Sequence, residues 1–286
     1  MLRQHRGRTS RQGRDPLSWR AEPRSNRAAD SGVRPPSPGQ REQGVARLAL
    51  LKGFQLSLDG QPVELPLSAQ RLIAFLALND HPVQRAFVAG TLWLETTDER
   101  AAANLRSALW RLHRHGDLID ATGSQLRLSP RISIDLKEAA TCARQVLDGL
   151  PPSRESDQEP FHLSLGSDLL PDWYEDWVLI ERERFRQLRL HALESLCEQL
   201  TNTGRFAEAI EVGLTAVAAE PLRESAHRAL IRTFLAEGNR GEAIHQYRVY
   251  DQLLREGLGV APSDQIRQLV GDPSGDAAVT KHVTLQ

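Results

Sequence analysis

The sequence predicts a mainly α-helical chain in which a small mixed α/β domain is followed by an all-helical domain. Residues 45–134 show short apolar runs of strand type, then three helical patterns, then a further pair of strand patterns. From residue 136 to residue 258, apolar residues recur at helical spacing almost throughout. A chain of 286 residues has the usual length of two domains.

The first domain is expected to contain an N-terminal antiparallel sheet of three strands, a core of three helices and a closing hairpin. Asp59-Gly60 lies between two alternating apolar runs, which is a strong hairpin signal. Ser68 is predicted to be the N-cap of the first helix, and Thr97 lies in the predicted cap of the third. The predicted elements are strands at 46–51, 54–58 and 62–65, helices at 69–78, 85–92 and 99–113, and strands at 118–121 and 125–128.

The helical domain contains an internal repeat. Residues 204–210 read GRFAEAI and residues 238–244 read GNRGEAI, so Gly, Glu, Ala and Ile recur after 34 residues. This is the period of a tetratricopeptide repeat, although a generic antiparallel helix bundle is the alternative. We expect Ala209 and Ala243 to be buried where neighbouring helices approach closely. Helices are predicted at 136–147, 178–201, 206–219, 223–236 and 240–255.

The charge is distributed unevenly along the chain. Residues 1–44 hold ten arginines against four acidic residues, and residues 45–134 hold ten basic against eight acidic residues. Residues 135–286 hold sixteen basic against twenty-five acidic residues. A basic front and an acidic back suggest different partners, and nucleic acid is the natural partner of the basic front.

Three segments outside the domains have the composition of tails or linkers. Residues 1–44 are rich in Arg, Ser, Pro and Gly and are predicted to be a disordered basic tail. This tail is either a solvated extension or a basic arm that adds affinity for DNA. Residues 135–167 are predicted to be a connecting helix and a linker, with the Pro-containing part at 151–160. Residues 271–286 are predicted to be a second disordered tail.

Composition and motifs argue against several classes of function. Cys142 and Cys197 form no CxxC pair, which argues against a zinc site or a disulfide framework and fits a reducing cytoplasm. No apolar run approaches the roughly 20 residues needed to span a bilayer. HExxH, GxSxG and glycine-rich phosphate loops are lacking. We therefore expect a cytoplasmic protein that is not an enzyme, with no metal and no cofactor.

The third predicted helix has two contrasting faces. Leu105, Ala108, Leu109 and Leu112 form an apolar stripe, whereas the opposite face carries three arginines and no acidic residue. Arg suits guanine edges or phosphates, Asn suits adenine and Ser suits either, so this face is a candidate reader of DNA. A solvated helix surface is the alternative. The candidate DNA-binding residues are Asn104, Arg106, Ser107, Trp110, Arg111 and Arg114 on this helix, Arg85 at the start of the second helix and Arg127 on the final hairpin.

Three aromatic residues need separate expectations. Trp110 is expected to lie half-buried against the final hairpin, with a position facing the DNA groove as the alternative. Trp173 and Trp177 lie four residues apart, so we expect them on one helical face. There they would anchor the start of the helical domain against the following helix or against the first domain. A partner-binding aromatic patch is the alternative for this pair.

Residues 46–128 resemble the winged-helix domain of the OmpR/PhoB type, in the version found in SARP-family regulators. The matching stretches are LDGQPV at 58–63, RLIAFLAL at 71–78, Leu92-Trp93, and NLRSALWRL at 104–112. One departure concerns the wing, which in the family usually ends Gly-x-Gly-Tyr-Arg. Here residues 123–127 read GSQLR, without the second glycine and the tyrosine.

Residues 168–258 resemble the bacterial transcriptional activation domain. The matching stretches are LLPDWYEDWV at 169–178, ERER at 181–184 and LGVAPS at 258–263. The resemblance implies a winged-helix domain at 45–134 and a TPR-like activation domain at 168–270.

The two resemblances together imply a sequence-specific activator whose third helix is the recognition helix. Its implied partners are double-stranded DNA and RNA polymerase, and a homodimer on DNA is one arrangement for tight binding. The main alternative is a TPR-type protein-interaction scaffold whose winged helix no longer binds DNA. A sensor that holds a small molecule in the helical domain is a third reading, for which the sequence specifies no ligand.

Overall fold

The computed structural model describes residues 45–150 and 165–271. The tails predicted at 1–44 and 271–286 and the linker predicted at 151–160 fall outside these ranges, apart from the first residue of the second tail. In the described part, a domain of short strands and three helices precedes a series of helices. The predicted fold class is thereby confirmed.

The strands all precede the helical domain, and the bounds of the elements follow. The strands are β1 (Ala46–Ala49), β2 (Gln55–Leu58), β3 (Gln61–Val63), β4 (Val83–Gln84), β5 (Ile119–Thr122), β6 (Gln125–Leu128) and β7 (Ser133–Ile134). The helices of the first domain are α1 (Leu67–Leu78), α2 (Arg85–Leu92) and α3 (Asp98–His113). The later helices are α4 (Asp135–Leu147), α5 (Asp176–Asn202), α6 (Phe206–Ala219), α7 (Glu224–Glu237), α8 (Arg240–Leu258) and α9 (Asp264–Val270).

Two small sheets enclose the three helices of the first domain. The N-terminal sheet has the order β3-β2-β1-β7, and the wing has the order β4-β6-β5. Asp59 and Gly60 both have positive φ, at 52° and 75°, as a two-residue hairpin turn of type I′ requires. The hairpin prediction is confirmed. The two-residue strands β4 and β7 were not predicted. The three predicted strands pair antiparallel, but β7 pairs with β1 in parallel, so the N-terminal sheet is mixed.

The start of α1 differs from the prediction. The helix begins at Leu67, and the residue at the cap position is Pro66, whose carbonyl oxygen accepts hydrogen bonds from the backbone N–H of Ala69 at 2.8 Å and of Gln70 at 3.1 Å. Ser68 is therefore not the N-cap, because it already lies inside the first turn. Its Oγ instead accepts a hydrogen bond from Arg111 Nη1 at 3.2 Å. This bond joins α1 to α3.

The helical domain shows the expected repeat. Gly204 and Gly238 occupy the turns that precede α6 and α8, with φ of 73° and 93°, a conformation that favours glycine. Ala209 and Ala243 follow at equivalent positions and expose none of their surface. Both alanines are buried at helix contacts, as predicted. None of the described helices combines the length and the apolar character needed to cross a bilayer.

The segment before α5 joins the helical domain to the first domain. Residues 50–52 and 168–170 run side by side, with Lys52 N donating to Asp168 O at 3.0 Å and Leu170 N donating to Leu50 O at 2.9 Å. The guanidinium of Arg182 donates to three carbonyl oxygens of this segment, at Leu169, Leu170 and Trp173. These bonds satisfy backbone groups of a segment that is neither helix nor strand.

Trp173 and Trp177 pack against the core of the first domain. Trp173 stacks on Phe54 with 6.0 Å between ring centroids, and Trp177 meets Phe75. The predicted role of the two tryptophans as an anchor is confirmed, and the alternative of a partner-binding aromatic patch is not. The predicted shared helical face is wrong, because α5 begins only at Asp176 and Trp173 precedes it.

Candidate nucleic-acid interface

Helix α3 is held in place by one apolar stripe. Ala101, Leu105, Ala108 and Leu112 expose at most 4% of their surface and belong to the core of the first domain. The helix is capped by Thr97, whose Oγ1 accepts from the backbone N–H of the third helical residue at 3.4 Å, as expected for an N-cap. The buried stripe fixes which side of the helix faces solvent.

The opposite side of α3 presents two adjacent rows of side chains. Residues three or four positions apart are neighbours on a helix surface. One row contains Arg106, Trp110 and Arg114, all exposed, and the next contains Asn104, Ser107 and Arg111. Ser107 and Arg111 are exposed, whereas Asn104 is partly buried. The structure thus brings all six candidate residues of this helix onto one side of it.

The sign of the charge on this side is uniform. The two acidic residues of α3, Asp98 and Glu99, lie in its first turn, where negative charge favours the helix N-terminus. No acidic residue occurs between Arg100 and Arg114. The exposed rows therefore offer guanidinium groups without a carboxylate on the same face.

Trp110 was expected to pack half-buried against the hairpin, and this is wrong, because its side chain is 64% exposed. The reason is helical geometry. Trp110 lies two positions from both Ala108 and Leu112, which turns it about 200° away from the buried stripe. Arg114 Cζ lies 5.4 Å from the centroid of its ring, a distance typical of a cation–π contact.

Two polar side chains of this face already have partners within the protein. Ser107 Oγ donates to the carbonyl oxygen of Ala103 at 3.0 Å. Arg111 donates to Ser68, as described above. The contribution of Ser68 was missed from the sequence, because its partner lies 43 positions away and no local pattern signals the pair.

Arg85 and Arg127 lie on elements other than α3. The backbone N–H of Arg85 donates to Ser124 O at 2.7 Å, which ties the start of α2 to the tip of the wing. Its side chain is partly buried, with Nε lacking a hydrogen-bond partner. Arg127 is exposed on β6, directly across from Asp120 on β5. Of these two residues, Arg127 is the more exposed.

The described residues contain no group of three or more His, Cys, Asp or Glu side chains placed to hold a metal ion. Neither Cys142 nor Cys197 takes part in a disulfide bond. The features that define this site are therefore shape, exposure and positive charge. A winged helix with a basic exposed third helix, joined to a TPR-like helical domain, is the class of protein that the fold and the site define.

Comparison with known proteins gives a family for the second domain. Residues 164–271 match the model of the bacterial transcriptional activator domain. The regulatory protein AfsR of Streptomyces coelicolor is 28% identical over 252 residues, which cover 82% of this chain and 25% of that protein. AfsR of Streptomyces griseus is 24% identical over 76% of this chain and 23% of its own length. The chain thus spans about a quarter of the length of these relatives.

A solved structure shares the fold. The chain is similar to Mycobacterium tuberculosis EmbR, in a complex with a low-affinity phosphopeptide, with a TM-score of 0.59 and 20% identity. The match covers 79% of this chain and 64% of EmbR. This match shows the fold, and the domain match and the AfsR relatives support a similarity to SARP-family bacterial transcriptional regulators. That family is a class of regulators rather than of enzymes.

Proposed function

We propose that the chain binds double-stranded DNA in a sequence-specific manner through α3 and activates transcription by recruiting RNA polymerase. The observation that supports this most is the exposed, acid-free side of α3, opposite a stripe that is at least 96% buried. A helix anchored in this way presents its side chains in a fixed direction. Such a helix can enter the major groove of B-DNA, which has the width for it.

The chemistry of the two rows suits a DNA duplex. A guanidinium forms bidentate contacts with the O6 and N7 of guanine, or with phosphate oxygens. An amide such as that of Asn104 suits adenine, and a hydroxyl such as that of Ser107 suits several base edges. We assign base reading and phosphate contact to the residues of α3. Arg127 of the wing and Arg85, which is bonded to the wing tip, are proposed as flanking contacts to the DNA backbone.

The activating half of the proposal is supported by the second domain. Residues 164–271 match an activator domain, and both curated relatives are regulatory proteins. The segment before α5 is bonded to the first domain, so a partner bound to the helical domain would be held at a set position beside DNA. We propose RNA polymerase as that partner. We also propose that the chain binds DNA as a homodimer and that it acts in the cytoplasm.

The DNA half is tested by selection from a library of random-sequence duplexes with the full chain. The proposal predicts that one sequence motif is enriched over successive rounds. Its matched control is the variant with Arg106→Ala, Arg111→Ala and Arg114→Ala together, which should enrich nothing. If the parent chain also enriches nothing, DNA binding by α3 is rejected.

The activation half has its own test. A promoter carrying the selected motif is transcribed by bacterial RNA polymerase with and without the full chain. The proposal predicts more transcript when the chain is added. Unchanged or lowered transcript from a duplex that the chain binds would reject activation and leave DNA binding intact.

A protein-interaction scaffold is the second candidate function. The observation that favours it is the nearly balanced charge of residues 45–134, with ten basic and eight acidic residues. A domain that binds DNA through phosphate contacts usually carries a larger positive excess. Failure of the duplex selection would move this candidate to first place.

A further inference from the structure

Trp110 is an unusual residue for an exposed position. An indole is the largest apolar side chain, and 64% of this residue faces solvent on a helix whose other large apolar residues are buried, as Leu105 and Leu112 are, or partly buried, as Leu109 is. A partner bound over the indole would remove its apolar surface from water, which favours binding. The position therefore suits contact with a partner.

The surroundings of Trp110 restrict the chemistry of that partner. Arg106 lies one turn before it and Arg114 one turn after it, and both are exposed. Whatever covers the indole also meets two guanidinium groups, so it must be negatively charged around an apolar group. A DNA major groove has this arrangement, with phosphates along its edges and the C5-methyl of thymine as the apolar group on its floor.

We propose that Trp110 recognises a thymine, through contact between its indole ring and the C5-methyl group in the major groove. This inference rests on the proposed DNA binding. It adds that Trp110, on the exposed side of α3, selects thymine at one position of the bound sequence. Serine, asparagine and arginine on the neighbouring positions supply hydrogen bonds, whereas Trp110 supplies the apolar contact that they lack.

Arg114 is a positioning residue for this contact. Its guanidinium carbon lies 5.4 Å from the centroid of the indole ring, which limits the orientations of the ring before DNA binds. A ring that is already oriented loses less rotational freedom on binding, so more of the contact energy appears as affinity. The same guanidinium remains exposed and can reach a phosphate beside the thymine.

The test replaces thymine by deoxyuracil, which removes the methyl group and leaves the hydrogen-bonding pattern unchanged. Each thymine of the duplex selected by the full chain is replaced in turn, and Kd is measured by fluorescence anisotropy at one salt concentration. At one thymine in each bound site, we expect Kd to rise about fourfold, which corresponds to the roughly 0.8 kcal/mol of one buried methyl group.

Variants assign this effect to Trp110. Trp110→Ala should bind the thymine and deoxyuracil duplexes equally, whereas Trp110→Phe should retain part of the difference. Tyr174→Ala is the control, because Tyr174 is a 78% exposed aromatic residue outside α3. It should keep the full difference between the two duplexes.

The possible failures are distinct. If no duplex is selected, the proposed DNA binding itself is rejected, and this inference with it. If a duplex is bound but no deoxyuracil replacement changes Kd, DNA binding stands and thymine recognition is rejected. This comparison uses the parent chain alone, so it does not depend on the folding of a variant. If Trp110→Ala still binds the thymine duplex more tightly than the deoxyuracil duplex, another residue contacts the methyl group and the inference is rejected.

Discussion

The ring of Trp177 meets the ring of Phe75 edge-on, with 5.3 Å between the centroids and 84° between the planes. Phe75 belongs to α1, and Trp177 lies in the first turn of α5. Beside them, Arg71 Nε of α1 lies 2.9 Å from Glu175 Oε1, just before α5. Because α1 also packs on α3, the start of the helical domain is attached to the helix that supports α3, the proposed DNA-reading helix.

Loss of the Trp177 ring should loosen this attachment. We expect Trp177→Ala to lower the free energy of unfolding by about 3 kcal/mol, because it removes a large, mostly packed ring and leaves a cavity beside Phe75. Urea denaturation followed by circular dichroism measures the change. Tyr174→Ala is the matched control, and its effect should stay within about 0.5 kcal/mol. Equal stability of Trp177→Ala and the parent would contradict the docking described here.

The repeat can be tested at a buried helix contact. Ala209 is fully buried in α6, whereas Ala207 of the same helix is exposed. We expect Ala209→Trp to destabilise the chain by about 1–3 kcal/mol or more through overpacking. Ala207→Trp introduces the same side chain at a position with room for it and should be nearly neutral. Similar denaturation curves for the two variants would show that the buried contact is not tight.

His227 makes the stability of the helical domain depend on pH. It is fully buried, its Nε2 donates to Pro221 O at 2.9 Å, and its Nδ1 accepts from Gln246 Nε2 at 2.9 Å. Burial lowers the pKa of its imidazole below the ordinary value of 6.5, and the hydrogen bond to Pro221 opposes this in part. The unfolded chain therefore takes up the proton more readily than the folded chain.

The sign of the pH effect follows from that lowered pKa. The contribution of His227 to stability is complete above pH 6.5 and is lost as the pH falls from 6.5 towards the folded-state pKa. We expect the stability difference between the parent and His227→Gln to narrow as the pH is lowered from about 7.5 to about 5.5. Denaturation curves at several pH values measure it. A difference that stays constant across this range would show that His227 does not titrate in the expected direction.

Asp135 joins the end of the first domain to its first strand. Its Oδ1 accepts from Leu50 N at 2.8 Å and from Leu136 N at 2.7 Å, and its Oδ2 accepts from Leu51 N at 3.0 Å. Asp135→Ala should cost about 1–3 kcal/mol, because buried backbone N–H groups lose their acceptor. Asp120→Ala, at an exposed carboxylate of the wing, is the control. A thermal melt in which both variants match the parent would refute this role.

Local patterns predicted most of the elements, because each depends on residues close in the chain. The bounds of α2 and α6 match the prediction, since turn residues and apolar spacing mark both ends. The strand β7 was missed, because its two residues pair with β1, which is more than 80 positions earlier. The short helix α9 was also missed, since seven residues give too little periodicity to recognise.

The candidate site was predictable to a similar degree. The helical wheel of α3 places Arg106 and Arg111 on the exposed side from sequence alone, and the structure agrees. The bond between Arg111 and Ser68 depends on how α1 crosses α3, which no local pattern contains. The exposure of Trp110 could have been read from the same wheel, but the usual burial of tryptophan outweighed it in the prediction.

The three exposed arginines of α3 can be tested separately for contact with bases and with phosphates. An arginine that reads a base should, when replaced by alanine, cost about 1–3 kcal/mol on the selected duplex and relax specificity at one position. Replacing an arginine that contacts phosphate should weaken binding to all duplexes alike. It should also reduce the slope of log Kd against log salt concentration by about one. Arg111 is already oriented by Ser68, so we expect it to be the base reader.

The most direct measurement is the Kd for the selected duplex and for a scrambled duplex at several salt concentrations. It compares the parent with Arg106→Ala, Arg111→Ala, Arg114→Ala and, as a charge-matched control, Arg248→Ala on the exposed side of α8. The account predicts that each α3 variant binds the selected duplex more weakly after its folding has been verified, and that Arg248→Ala binds as the parent does. If all three α3 variants bind as tightly as the parent, α3 does not read DNA.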